Sequence, residues 1–94
     1  MSALTDQQIA EKLKTLPAWS LEAGELVRLF QFEDFQGAMR FVNQVAELAE
    51  SAGHHPDIDI RYNRVRLALV THDQGGITAK DFDLAGLVSL KSIT

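Results

Sequence analysis

With 94 residues, no cysteine and a formal net charge of −4, the chain excludes disulfides, thiolate nucleophiles and cysteine-based zinc sites, and it has no general pull toward phosphate backbones or anionic lipid. Hydrophobic residues make up 46% and charged residues 23%, a balance that belongs to folded soluble proteins rather than disordered ones. A chain this short reads as one domain, 1–94, burying only roughly 60 to 65% of its unfolded surface, so the core must be economical and oligomerisation would help.

The first residues, Met-Ser-Ala-Leu-Thr-Asp-Gln-Gln, lack the basic start and apolar run of a signal peptide, and no segment approaches ~20 apolar residues. The expectation is a cytoplasmic protein with no membrane or nucleic-acid partner. Thr5 followed by Gln8 is a capping-box pattern, and Ile9, Leu13 and Leu16 recur at helical spacing until Pro17, which predicts a helix over 5–16. Trp19 and Leu21 then alternate with polar neighbours. After Ala23-Gly24, Leu26, Phe30 and Phe32 alternate against Val27, Leu29 and Gln31, so a β-hairpin is expected. Its second strand is apolar on both faces, as a central strand would be.

Asp34 caps a long helix in which Phe35, Ala38, Met39, Val42, Val45, Ala46, Ala49 and Ala52 follow a 3.6-residue period. Phe41 and Leu48 fall off that stripe and widen it, either as a surface for another subunit or as a broad core-facing stripe. Gly53 stands where a left-handed cap residue belongs, and Pro56 forbids continuation. Ile58, Ile60 and Tyr62 alternate with Asp57, Asp59 and Arg61, a turn follows at Asn63, and Val65 to His72 returns as the second strand of another hairpin. Gly75-Gly76 ends that strand and Thr78 opens a last helix. The order α-β-β-α-β-β-α predicts an α+β fold, a four-stranded antiparallel sheet with three helices packed on one face. Such a sheet leaves two edges, one of which could pair with a twin.

The chain's three histidines, His54, His55 and His72, fall at the start of one strand and the end of its hairpin partner, so the topology draws them toward one pocket, with Glu50 one helical turn before His54. An imidazole near its ordinary pKa of about 6.5 both donates and accepts protons at neutral pH. Adjacent histidines in an extended segment point to opposite faces, so proton transfer, a three-histidine metal site and plain structural roles all remain open on spacing alone. Asp81 reads as the acidic partner of Thr78 in a capping box, a role compatible with orienting a histidine or a ligand. Trp19 reads as core, and Arg61, Arg64 and Arg66 as a solvated strand face.

Taken together, Glu50, three residues, His54-His55-Pro56, five residues, Tyr62, nine residues, His72, eight residues and Asp81 resemble the signature of the pterin-4a-carbinolamine dehydratases. Trp19, Phe30-Gln-Phe32 before Asp34-Phe35, Tyr62-Asn63-Arg64-Val65, Thr71-His72-Asp73, Gly76-Ile77-Thr78 and Leu84-Ala85 extend the likeness over most of the chain. The resemblance implies the fold just derived, assembly into a homodimer or homotetramer, and dehydration of a 4a-hydroxytetrahydropterin to the quinonoid dihydropterin without metal or organic cofactor. It implies His54, His55 and His72 as catalytic residues and Glu50, Thr71 and Asp81 as binding or orienting ones. A functional link to an aromatic amino-acid hydroxylase is implied too, in recycling of the pterin. Vertebrate members carry an acidic residue where Gly53 stands and arginine where Lys80 stands. The alternative reading is a non-catalytic dimerisation module, because animal relatives also serve as a dimerisation cofactor for a homeodomain transcription factor.

Overall fold

The computed structural model describes residues 2–92. Helix α1 spans Asp6–Leu13, strands β1 and β2 span Ser20–Glu22 and Glu25–Gln31, helix α2 spans Phe35–Ala52, strands β3 and β4 span Asp57–Arg61 and Arg64–Leu69, and helix α3 spans Ala79–Ser92. The four strands form one antiparallel sheet in the order β1-β2-β4-β3. The expected topology holds, and β2, apolar on both faces, is central as expected. Three boundaries shift. The first helix closes at Leu13 and unwinds through turns to Leu16; Trp19 precedes β1 rather than lying in it; and the strand expected to reach His72 stops at Leu69 before a single 3-10 turn, His72–Gln74.

Register fixes which side chains meet the helices. Phe30 pairs with Val65 and Leu26 with Leu69, while Ile58 and Ile60 lie opposite Leu67 and Val65. These residues share the face on which Ile9 of α1, Ala38, Phe41, Val45 and Ala49 of α2, and Phe82, Leu84, Ala85 and Val88 of α3 close the core. An aromatic group organises its centre: Trp19 meets Phe30 edge-on at 6.1 Å, and Phe41 lies 4.5 Å from Phe30 and 5.0 Å from Phe32. Burying each such ring stabilises the fold by about 1.5–3 kcal/mol, with a further increment from the ring geometry.

This cluster decides between the two readings of α2 in favour of the broad core-facing stripe, in which Ala38, Val45 and Ala49 are buried together with Phe41. Phe41 is buried and Leu48 packs against the core, whereas Phe35 is about half exposed and Ala46 and Ala52 face outward. Val42 also packs against the core, so the outer limit of the stripe runs through Phe35 and Ala46, while the aromatic rings of β2 draw in the Phe41 side. At the other end of the sheet Trp19 Nε1 donates to Ser89 Oγ at 2.9 Å. The Arg28 guanidinium lies 4.3 Å from the centre of the Phe30 ring and donates to the same hydroxyl at 3.3 Å. Partial burial lowers its pKa from the usual arginine value.

Candidate active site

The site is assembled at the C-terminus of α2. Gly53 takes φ 64°, the left-handed conformation that costs glycine least. His54 N–H then donates back to Ala49 O at 3.1 Å and Gly53 N–H to Glu50 O at 3.3 Å, the paired bonds of a Schellman turn. This turn reverses the chain so that two consecutive imidazoles leave it in different directions.

His54 points inward. Its side chain keeps only 11% of its exposure, and its Nε2 lies 2.5 Å from Oδ1 of the fully buried Asp81. The other carboxylate oxygen of Asp81 accepts from Thr71 Oγ1 at 2.9 Å and from Thr78 N–H at 2.9 Å, while the two threonine hydroxyls are 2.8 Å apart. Asp81 thus serves both as the capping partner of Thr78 at the start of α3 and as the partner of a histidine. A buried carboxylate must be met by donors, and every buried side-chain polar atom among the described residues has a partner. A depression of about 100 Å³ beside this network is lined by Ala52, His54, Lys80, Asp83, Leu84 and Leu87.

His55 points outward. Its Nε2 is paired with Oε2 of Glu50, and both side chains are mostly exposed. The two neighbouring histidines therefore do face opposite ways, each with its own carboxylate. His72 opens the 3-10 turn directly after Thr71, is exposed, and takes part in none of the side-chain hydrogen bonds or ion pairs among the described residues. The structure thus ties His54, Thr71 and Asp81 into one network and Glu50 and His55 into a second, while His72 is joined to the first only through the backbone of Thr71. Thr78 belongs to the first network although sequence reasoning assigned it only a helix start. Its capping relation to Asp81 was the signal. Among the described residues no group of three or more histidine, aspartate or glutamate side chains is arranged to hold a metal ion.

In each pair a ring Nε2 faces a carboxylate oxygen within hydrogen-bond reach, which fixes the orientation of the imidazole. Residues 2–89 match the family model described as Pterin 4 alpha carbinolamine dehydratase. The chain belongs to the pterin 4 alpha carbinolamine dehydratase family. The resemblance carried by the histidine pair and its surroundings is borne out, and with it the expected enzyme class, a hydro-lyase.

Two relatives and one solved structure illustrate the likeness. A protein of Acidobacterium capsulatum, named provisionally as a pterin-4-alpha-carbinolamine dehydratase, is 65% identical over 88 residues, covering 94% of this chain and 96% of its own. A Chloroflexus aurantiacus protein with the same provisional name is 60% identical over 88 residues, with coverages of 94% and 95%. The crystal structure of a transcriptional coactivator/pterin dehydratase from Brucella melitensis superposes with a TM-score of 0.90 at 34% identity, covering 95% of this chain and 97% of that one. No helix among the described residues is long and apolar enough to cross a membrane.

Proposed function

We propose that this chain dehydrates a 4a-hydroxytetrahydropterin to the quinonoid dihydropterin, with His54 and His55 as the acid/base pair and His72 binding and polarising the pterin or sharing the proton work. The observation that carries the reading is the pairing of two consecutive histidines with two different carboxylates, Asp81 and Glu50. The reaction breaks the C4a–O bond, and the departing oxygen must leave as water, so it takes a proton from an imidazolium. Closing the C4a=N5 bond releases the N5 proton, so a neutral imidazole takes it. The substrate is converted to dihydropterin plus one water, and proton exchange with solvent resets the two rings. Each positioned group is worth roughly 10² to 10⁴ in rate.

Glu50 orients His55, Asp81 orients His54, and Thr71 holds Asp81 while its neighbour His72 meets the substrate. In this reading the whole chain works as one unit in the cytoplasm, as a homodimer or homotetramer, with a pterin as its small-molecule ligand and an aromatic amino-acid hydroxylase as the source of that pterin. The alternative, a non-catalytic binding module, draws support from the coactivator in the name of the Brucella structure. The exposed pair of His55 and Glu50 favours catalysis, because such a pair adds little to the stability of a scaffold.

Titration with a dihydropterin product, followed by NMR of the three imidazoles, tests the assignment. The ring resonances of His54, His55 and His72 are expected to shift together and to saturate at one ligand per chain. Saturable binding that leaves all three unmoved would overturn it, and absence of binding would favour the module.

A further inference from the structure

The sheet face turned away from the helices carries a charge arrangement that the dehydratase reading does not use. Arg61 lies directly opposite Arg64 across the β3–β4 pair, and Arg66 is two residues along β4, opposite Asp59 on one side and Leu29 on the other. Like charges at directly opposed positions destabilise a sheet, and here they sit in a chain whose net charge is −4. The arginines, with Leu29 and Asp59, line a shallow cavity of about 280 Å³. Its wall therefore holds three cations and one anion.

The acidic neighbours leave most of the guanidinium donors open. Arg61 uses Nε to reach Asp59 at 3.3 Å, Arg66 Nη2 stands 3.6 Å from Glu22 Oε1, and Arg64 forms no side-chain hydrogen bond or ion pair among the described residues. The β3–β4 turn brings Arg61 and Arg64 close through a strained residue: Tyr62 has φ 54°, a conformation uncommon outside glycine, asparagine and aspartate. Three planar guanidinium forks around one shallow cavity suit a multiply charged oxyanion, which takes paired N–H donors from more than one arginine.

We propose that Arg61, Arg64 and Arg66 form a binding site for a phosphate-class oxyanion carried by a soluble small molecule. The site is separate from the histidines: Arg64 opens β4 and Thr71 lies seven residues further along, about 20 Å away at strand rise.

Calorimetric titration with inorganic pyrophosphate at fixed ionic strength tests it, using wild type, Arg64→Gln and the Arg61→Gln/Arg64→Gln double variant, with co-sedimentation on phosphatidylcholine vesicles containing phosphatidylserine in parallel. The expected result is saturable binding at one site per chain, weakened at least about tenfold by Arg64→Gln and lost in the double variant, with no vesicle binding. All three proteins should dehydrate the pterin equally, since the substituted side chains are exposed and remote from the histidines. Absence of saturable pyrophosphate binding, binding unchanged by either substitution, or arginine-dependent vesicle binding without pyrophosphate binding would each overturn the proposal. None of these outcomes bears on the dehydratase reading.

Discussion

Asp81→Ala tests how the buried network holds both the fold and His54. The carboxylate accepts from three groups, His54 Nε2, Thr71 Oγ1 and Thr78 N–H, and its side chain has no exposure. After substitution Thr71 keeps the Thr78 hydroxyl at 2.8 Å, so the loss falls on the Thr78 N–H and on His54. A buried donor left without a partner costs about 1–3 kcal/mol, so the two together cost about 2–6 kcal/mol. For a domain of this size that is a drop in Tm of at least about 8 °C, and in urea a lower midpoint with an unchanged slope. Asp81→Asn keeps an acceptor for the Thr78 N–H but loses the charge facing His54; it should cost about half as much stability and still lower kcat at least about tenfold. A midpoint for Asp81→Ala within about 0.5 kcal/mol of wild type, the range of an ordinary surface change, would refute the network's structural role. Full activity in Asp81→Asn would refute its hold on His54.

Other substitutions separate packing from chemistry. Gly53→Ala, forced to φ 64°, should lose about 1–2 kcal/mol in urea denaturation even though no atom lies within 4 Å of the added methyl. Phe41→Ala should lose about 3–5 kcal/mol, against little for Phe35→Ala, which reverses the order expected if Phe41 faced another subunit or solvent. Glu50→Gln should leave stability within about 1 kcal/mol, because its pair with His55 is exposed, while lowering kcat; the pairing of unchanged denaturation midpoint with reduced turnover is the signature to look for. Tyr62→Asn should stabilise the hairpin by about 0.5–1 kcal/mol, asparagine being more tolerant of positive φ.

The strands were legible because alternation on a half-buried sheet is a local property: Leu26, Phe30, Val65, Leu67 and Leu69 fell on one face in the sequence as in the structure. The width of the buried face of α2 was not, since Phe41 and Leu48 fitted either a subunit surface or the core, and only the position of Phe30 and Phe32 in space chooses between them. The end of β4 was misjudged for a related reason. Thr71 and His72 continue an alternating pattern, but Gly75 at φ 71° lets residues 72–74 close into a 3-10 turn instead.

At the site, the residues were legible and their partners were not. His54 and Asp81 are 27 positions apart, and nothing in their spacing pairs them rather than His72 with Asp81. Glu50 was placed near the histidines by helical spacing, but its choice of His55 depends on the Schellman turn at Gly53, which turns His54 inward.

The central claim is that the two carboxylate-held histidines carry the dehydration. The most direct measurement is the ultraviolet absorbance change as chemically generated 4a-hydroxytetrahydropterin loses water, with wild type and with a His54→Gln/His55→Gln double variant confirmed to be folded. Acceleration by wild type that falls by at least about 10⁴ in the double variant is the predicted result. A folded double variant that retains most of the wild-type rate would contradict it, as would a wild type no faster than buffer.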